Sequence, residues 1–239
     1  MTTERVLVHA GIADSRMYRQ QLETLAPARA VDLPGFGTEP LESDTVDYRQ
    51  FVRDRLPPGP ATLVGTSLGG AIALELALES PERVAALVLV GPPLDGHEWS
   101  DEVRTSWQEE EEAFERGDLD AAVEANLRVW LPDDVDPQVR ALVAEMQRHA
   151  FELQTGHDDL RSKRLEPPAS TRLAEVAVPT LVITGDEDVR DIHEIADKLV
   201  TEIPDAERAT IAGAGHLPSL ERPDEFDAVV LAFLRKHGV

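Results

Sequence analysis

The stretch "LVGTSLGGAIALELAL" (residues 63 to 78) places one serine, Ser67, between glycines where an apolar run rich in β-formers gives way to a helical pattern. A plain turn needs only something small and polar there, so the serine is judged by its setting. Gly65 and Gly69 stand two positions either side of Ser67, giving G-x-S-x-G, and Gly70 extends the room for close strand and helix packing. A side chain on a tight turn at the carboxyl end of a central strand is pushed out of the sheet edge, where ligands bind in open α/β folds. The helix that follows aims free amino-terminal N–H groups at the same spot. The pentapeptide alone is a weak signal; the strand before it and the helix after it make Ser67 a candidate nucleophile.

Around this junction the chain alternates. Four β-like runs end at a glycine or turn cluster: "RVLVHAG" (5 to 11), "ARAVDLPGFG" (28 to 37), "ATLVGTS" (61 to 67) and "VAALVLVGPP" (84 to 93). Segments of helical length separate them. The rhythm resumes with "PTLVITGDED" (179 to 188), a helical "DIHEIADKLVTEI" (191 to 203), "ERATIAGAGH" (207 to 216) and a terminal helical "RPDEFDAVVLAFLRKHG" (222 to 238). Strands apolar on both faces are those of parallel sheets. The pattern predicts an α/β fold: a doubly wound, mostly parallel six-stranded sheet with helices on both faces.

Residues 95 to 171 interrupt this pattern with three helical stripes and no convincing strand. Val103, Trp107 and Phe114 mark the first; Leu119, Ala122, Val123, Asn126, Leu127 and Trp130 the second; Val139, Leu142, Val143, Met146, Ala150 and Leu153 the third. The expected organisation is a core of residues 1–94 and 172–239 carrying a helical cap, or lid, over 95–171. The "QEEEE" run (108 to 112) reads as the solvated face of the first cap helix.

With 239 residues, 42% of them hydrophobic, the chain can bury a sizeable core. It has no cysteine, which excludes disulfides, thiolate chemistry and cysteine metal sites. A formal charge of −23 repels phosphate backbones and anionic headgroups, so neither nucleic acid nor membrane is an expected partner, whereas a small neutral molecule meets no such field. No apolar run approaches the length of a membrane span and "MTTERVLVHAG" lacks a signal peptide's apolar region, so a cytoplasmic location is expected. No P-loop, dinucleotide fingerprint or paired-histidine zinc helix occurs, so neither cofactor nor metal is expected.

A serine hydroxyl is a poor nucleophile unless a base takes its proton. Of seven histidines, His216 has the fitting local setting, at the end of the last strand in "IAGAGHLPSLERPDEF", with small residues before it and a proline soon after. The imidazole in turn needs a carboxylate to fix its tautomer. Asp186, Glu187, Asp188 and Asp191 all follow the preceding strand, and at least three of the four must be solvated or capping residues.

Taken together, "GTSLGG", "DLPGFG" and "GAGHLPSLERPDEF" resemble the nucleophile elbow, the loop after the second core strand and the histidine loop of the α/β-hydrolase superfamily, over essentially the whole chain. The look is most like carboxylesterase and 3-oxoadipate enol-lactonase-like members. The resemblance implies Ser67, Asp188 and His216 as catalytic residues, because the acid of similar proteins stands three residues beyond the glycine closing its strand. Asp95 in "GPPLDG" is the alternative acid. It also implies an oxyanion hole from the backbone N–H groups of Gly11 and Leu68, with Ile12 in reserve for Gly11, although Ala10 stands where glycine is usual. His9 and Asp32 are expected to be structural, and Phe36 a pocket wall. Arg190 replaces a proline frequent after the acid, and His193 is expected at a helix start. Similar enzymes begin with two further antiparallel strands, which this sequence lacks; the edge so left is either blunted by charge or used in a homodimer.

All three tryptophans, Trp99, Trp107 and Trp130, lie in the cap region with Phe114, Met146 and Phe151. Some must pack the cap on the core; the rest are expected to line an apolar pocket over Ser67. Substrate-binding candidates are thus Phe36, Trp107, Trp130, Met146 and His149, with hinges at "GPPLDG" and "EPPAS". The expected reaction is cleavage of a small carboxylic ester or lactone through an acyl-enzyme on Ser67. A dianionic lactone is disfavoured by the overall charge unless Arg128, Arg148 or Arg161 offsets it locally. C–C hydrolysis or perhydrolysis on the same residues, and a receptor-like binding protein with vestigial turnover, are the alternatives.

Overall fold

Runs such as "VAALVLV" have no polar face to give to water and must be covered on both sides. A computed structural model describes residues 3–157 and 160–239 of the chain. Its six main strands are β1 (Arg5–Val8), β2 (Ala28–Val31), β3 (Ala61–Thr66), β4 (Val84–Val90), β5 (Thr180–Gly185) and β6 (Ala206–Ile211). They form one sheet in the order β2-β1-β3-β4-β5-β6. Every ladder in it is parallel. The interior strands are almost wholly buried, while β2 and β6, at the edges, are largely half-buried.

From β2, at one edge, the chain returns past β1 to lay down β3, and all later strands are added on that far side. The direction of winding therefore reverses between β1 and β3. Crossover helices leave these neighbouring strands toward opposite faces, which opens a crevice at their carboxyl ends, where His9 and Ser67 sit.

The longer helices are α1 (Tyr48–Arg53), α2 (Leu68–Glu79), α3 (Asp101–Glu115), α4 (Leu119–Trp130), α5 (Pro137–Gln154), α6 (Arg190–Glu202) and α7 (Pro223–His237). α2 is apolar nearly all round and accordingly buried, packed against β3 and β4. α6 buries only Ile192, Ile195, Ala196 and Leu199 along one stripe, together with Asp191. Each of α3, α4 and α5 starts at a side-chain cap, with Ser100, Asp118 and Asp136 accepting from the amides of Val103, Ala121 and Gln138. Gly117, at φ 72°, ends α3 in the left-handed conformation that glycine adopts without strain.

α3, α4 and α5 lie between β4 and β5 in the chain, at the three stripes read from sequence. One expectation is corrected: the inserted segment does contain a short strand. Arg161–Ser162 pairs in parallel with Thr45–Val46, through Arg161 N–H to Asp44 O at 2.6 Å and Lys163 N–H to Val46 O at 2.8 Å. Two residues show no periodicity, and the pairing joins the end of the insertion to the core.

Candidate active site

The elbow is built by contacts that admit no side chain. A Cβ at Gly65 would lie 2.2 Å from the carbonyl oxygen of Gly69, and one at Gly69 would lie 2.1 Å from that of Val8. Ser67 itself has φ 51° and ψ −117°, the one positive φ among described non-glycine residues. Such a backbone costs on the order of 1–3 kcal/mol and persists only where its surroundings enforce it. Here Ser67 N–H donates to Val90 O at 2.7 Å and Gly69 N–H to His9 O at 3.1 Å, tying the turn to β4 on one side and to the loop after β1 on the other.

That loop is held from within. His9 is fully buried; its Nδ1 lies 2.8 Å from Ala10 O, and its Nε2 accepts from Leu33 N–H at 3.0 Å. One nitrogen donating and the other accepting describes a neutral ring, and burial keeps its pKa below the ordinary value. His9 is thus a brace, as the sequence suggested. Ala13 N–H closes a turn on Ala10 O at 3.1 Å, leaving Gly11 and Ile12 at its centre beside the elbow. A Cβ on Gly11 would be 3.9 Å from the Leu68 side chain. Among the described residues none accepts a hydrogen bond from the amides of Gly11, Ile12 or Leu68, and all three residues line one cavity of about 450 Å³ with Ser67 and His216.

His216 reaches this cavity from the loop after β6. Its Nδ1 is 2.8 Å from Asp188 Oδ2, with only 2% and 1% of the two side chains exposed. The other carboxylate oxygen of Asp188 accepts from Val189 N–H at 2.9 Å. The remaining ring nitrogen, Nε2, is buried without a hydrogen-bond partner among the described residues. The loop is clamped: Glu221 accepts from Gly215 N–H at 2.6 Å and from Leu217 N–H at 2.7 Å, and His216 N–H donates to Trp130 O at 3.1 Å. Burial raises the pKa of Glu221 despite those two bonds. Space for the pair is left by Gly91, whose Cβ would stand 3.0 Å from His216 Cε1 and 3.3 Å from Asp188 Oδ2.

The other acids are engaged elsewhere. Asp186 accepts from Gly213 N–H at 2.6 Å, Glu187 is exposed, and Asp191 accepts from Ser100 N–H at 2.7 Å and meets His97 Nε2 at 3.0 Å. Asp95 lines the cavity but is ion-paired with Arg164 at 3.7 Å. His193 lies on α6 with its Nδ1 3.2 Å from Arg208.

Of the five substrate-binding candidates, Trp107 and Trp130 line the cavity, and the Trp130 ring lies 4.4 Å from that of His216. The other three lie outside its described lining. Phe36 packs on the His9 ring at 5.0 Å, because an apolar ring beside a buried brace belongs to the core. Met146 is 1% exposed within the core cluster and does not reach the cavity. His149 points to an outer cleft, its Nε2 2.9 Å from Gly37 O. Arg128 and Arg148 pair with Glu109 and Asp120 outside the cavity; the cation among its described lining residues is Arg164. Sequence reasoning missed the polar part of the lining: Glu75, Glu110, Asn126 and Gln147. Glu110 belongs to the run read as solvated, yet it is half-buried, and burial pushes its carboxyl up to about 7.

No helix of the described residues is long and apolar enough to cross a membrane, and no cluster among them is composed to hold a metal ion. The chain is similar to a pimeloyl-[acyl-carrier protein] methyl ester esterase of Nitrosospira multiformis, 28% identical over 96% of this chain and 94% of the relative. It is also similar to a 2-hydroxy-6-oxononadienedioate/2-hydroxy-6-oxononatrienedioate hydrolase of Comamonas testosteroni, 32% identical over 85% of this chain and 75% of the relative. The enol-lactonase of Burkholderia xenovorans LB400 shares the fold, with a TM-score of 0.80, 21% identity and coverage of 98% and 92% of the two chains. A family model described as the alpha/beta hydrolase family matches residues 6–229, and the chain belongs to that family.

Proposed function

We propose that the protein is a serine hydrolase that cleaves a small carboxylic ester or lactone. Ser67 is the nucleophile, His216 the general base and Asp188 the acid that orients it. The observation that carries this reading is the buried His216, whose Nδ1 is engaged by Asp188 at 2.8 Å while Nε2 is left unpartnered in the wall of the cavity that Ser67 lines. With Nδ1 donating to a carboxylate, the proton-free Nε2 is the basic nitrogen.

In the first half-reaction Ser67 Oγ attacks the carbonyl carbon as its proton passes to His216 Nε2. The oxyanion that forms lies within reach of the amides of Gly11 and Leu68. One such preset donor contributes roughly 3–4 kcal/mol to the transition state. The tetrahedral adduct collapses to an ester on Ser67, and the proton on Nε2 goes to the departing alkoxide. Water, deprotonated by the same nitrogen, then attacks the acyl-enzyme and releases the acid. Residues 95–171 act as the cap that limits water around the acyl group.

The test is replacement of Ser67 by alanine. Turnover of p-nitrophenyl acetate is expected to fall to background with the melting temperature unchanged, and a fluorophosphonate should add its mass to the wild-type chain only. Retained turnover in the variant, or an unlabelled wild-type Ser67, refutes the assignment.

A further inference from the structure

Two amide side chains in the cavity wall are more than nine-tenths buried, and each keeps one polar atom without a hydrogen-bond partner of good geometry among the described residues. Asn126, on α4, and Gln147, on α5, are each 3% exposed. Asn126 Nδ2 and Gln147 Oε1 are sealed from solvent with no hydrogen-bond partner among the described residues. Both residues line the same cavity as Ser67, Leu68 and His216. A buried amide without a partner is destabilising, and folded proteins carry few of them. Apolar residues of similar size would close these helices against the core without that cost.

The charges around the cavity narrow the chemistry. Glu75, Asp95 and Glu110 contribute carboxyls, against Arg164, the one arginine or lysine among the described lining residues, which Asp95 already engages. His97 is held by Asp191. The Glu110 carboxyl lies next to Asn126 and interacts with its amide, so a second carboxylate brought to that end would meet the carboxyls of Glu110, Glu75 and Asp95. A neutral group suffers no such repulsion.

Resting on the serine hydrolase reading above, we propose that Asn126 and Gln147 determine specificity by binding a neutral group that both donates and accepts hydrogen bonds, a hydroxyl or a secondary amide, on the substrate ester or lactone. The acceptor oxygen of that group accepts a hydrogen bond from Asn126 Nδ2–H, and its own N–H or O–H donates to Gln147 Oε1. A site that leaves polar groups unpaired discriminates strongly against a substrate that cannot pair them.

A panel of p-nitrophenyl esters tests this on the wild-type enzyme: N-acetyl-β-alaninate for the amide, 3-hydroxybutanoate for the hydroxyl, pentanoate for the apolar chain and the glutarate monoester for the carboxylate. The expected kcat/KM for the amide or hydroxyl ester exceeds that for pentanoate by roughly 10- to 100-fold, with the glutarate monoester no better than pentanoate. Which of the first two leads tells amide from hydroxyl. Asn126→Leu and Gln147→Met should erase the advantage through KM. Best turnover of pentanoate or of the glutarate monoester overturns the proposal, as does an advantage that survives both substitutions. Because the panel uses the wild type, a variant that fails to fold leaves the inference open to refutation. Ester turnover with no preference sinks this inference alone, whereas no turnover together with an unlabelled Ser67 sinks the hydrolase reading as well.

Discussion

Asp188→Asn isolates the most consequential bond of the site, because it removes charge and one acceptor while barely changing shape. The aspartate serves two donors at once, His216 Nδ1 at 2.8 Å through Oδ2 and Val189 N–H at 2.9 Å through Oδ1. An asparagine has one oxygen to offer. If that oxygen keeps Val189, the NH₂ group faces Nδ1 and donates to it, which moves the ring proton to Nε2 and leaves no base for Ser67. If the oxygen turns to His216, the NH₂ group meets the Val189 N–H donor to donor in a pocket with about 1% of the side chain exposed. The first arrangement avoids the clash, so the variant should hold the wrong tautomer. The scale of such a loss is about 10⁴-fold in kcat. That corresponds to about 5.5 kcal/mol of transition-state stabilisation at 1.36 kcal/mol per decade. KM for p-nitrophenyl acetate should change little, and fluorophosphonate labelling of Ser67 should slow in proportion. Asp95→Asn is the internal comparison: Asp95 pairs with Arg164 rather than His216, so its loss should leave kcat within about threefold. Asp188→Asn within tenfold of wild type, or Asp95→Asn falling as far as Asp188→Asn, would refute the assignment of the acid.

Two further outcomes concern stability. A methyl at position 65 would stand 2.2 Å from Gly69 O and 2.4 Å from its carbonyl carbon, both backbone atoms with no rotamer to escape into. Gly65→Ala should therefore cost about 3 kcal/mol, a fall in melting temperature of roughly 6–12 °C for a chain of this size, followed by circular dichroism; a shift below 1 °C would mean the elbow is looser than described. Burial raises the folded-state pKa of Glu110 from its ordinary 4.5 to about 7. The folded protein thus binds the extra proton between those values, and its stability falls as pH rises through them. Gln at this position does not titrate, so Glu110→Gln should match wild type most closely near pH 5 and gain about 1–3 kcal/mol over it by pH 8 in denaturant unfolding. An equal difference at both pH values would place the carboxyl in solvent.

What was legible in the sequence divides by the range of the forces involved. Gly65, Gly69, Gly185 and Gly215 are dictated by contacts within two loops and their strands; a Cβ at Gly185 would fall 2.0 Å from Ala214 O. Local sterics of that kind leave a local record, from which Ser67 and His216 are legible as candidates, whereas Asp188 is singled out among four acids only by the family resemblance. The cavity lining has no such record, because it depends on how far α3, α4 and α5 are rotated about their own axes against the core. Phe36 and Met146 are apolar and suit a pocket wall, but the core claims apolar side chains as readily. Glu110 is one of four consecutive glutamates, and nothing in the run marks the one turned inward. Asn126 did leave a signal, an amide standing at an apolar register of its helix between Val123 and Leu127.

The inserted helices are coupled to the chemistry more tightly than a roof resting on walls. α4 ends at Trp130, whose carbonyl accepts the His216 N–H at 3.1 Å and whose ring stacks at 4.4 Å on the imidazole. Just beyond it, Pro132 packs so close to Gly215 that a Cβ there would lie 2.6 Å from its ring. Any swing of α4 away from the core must therefore break the bond that sets the backbone of His216. α3 carries no such tie to His216. Its Trp107 is 38% exposed and packs at 5.0 Å on Trp99, near the "GPPLDG" connection to β4. Opening that preserves the alignment of His216 has to come from the α3 side, and Asn126, on α4, stays fixed relative to His216 while it does.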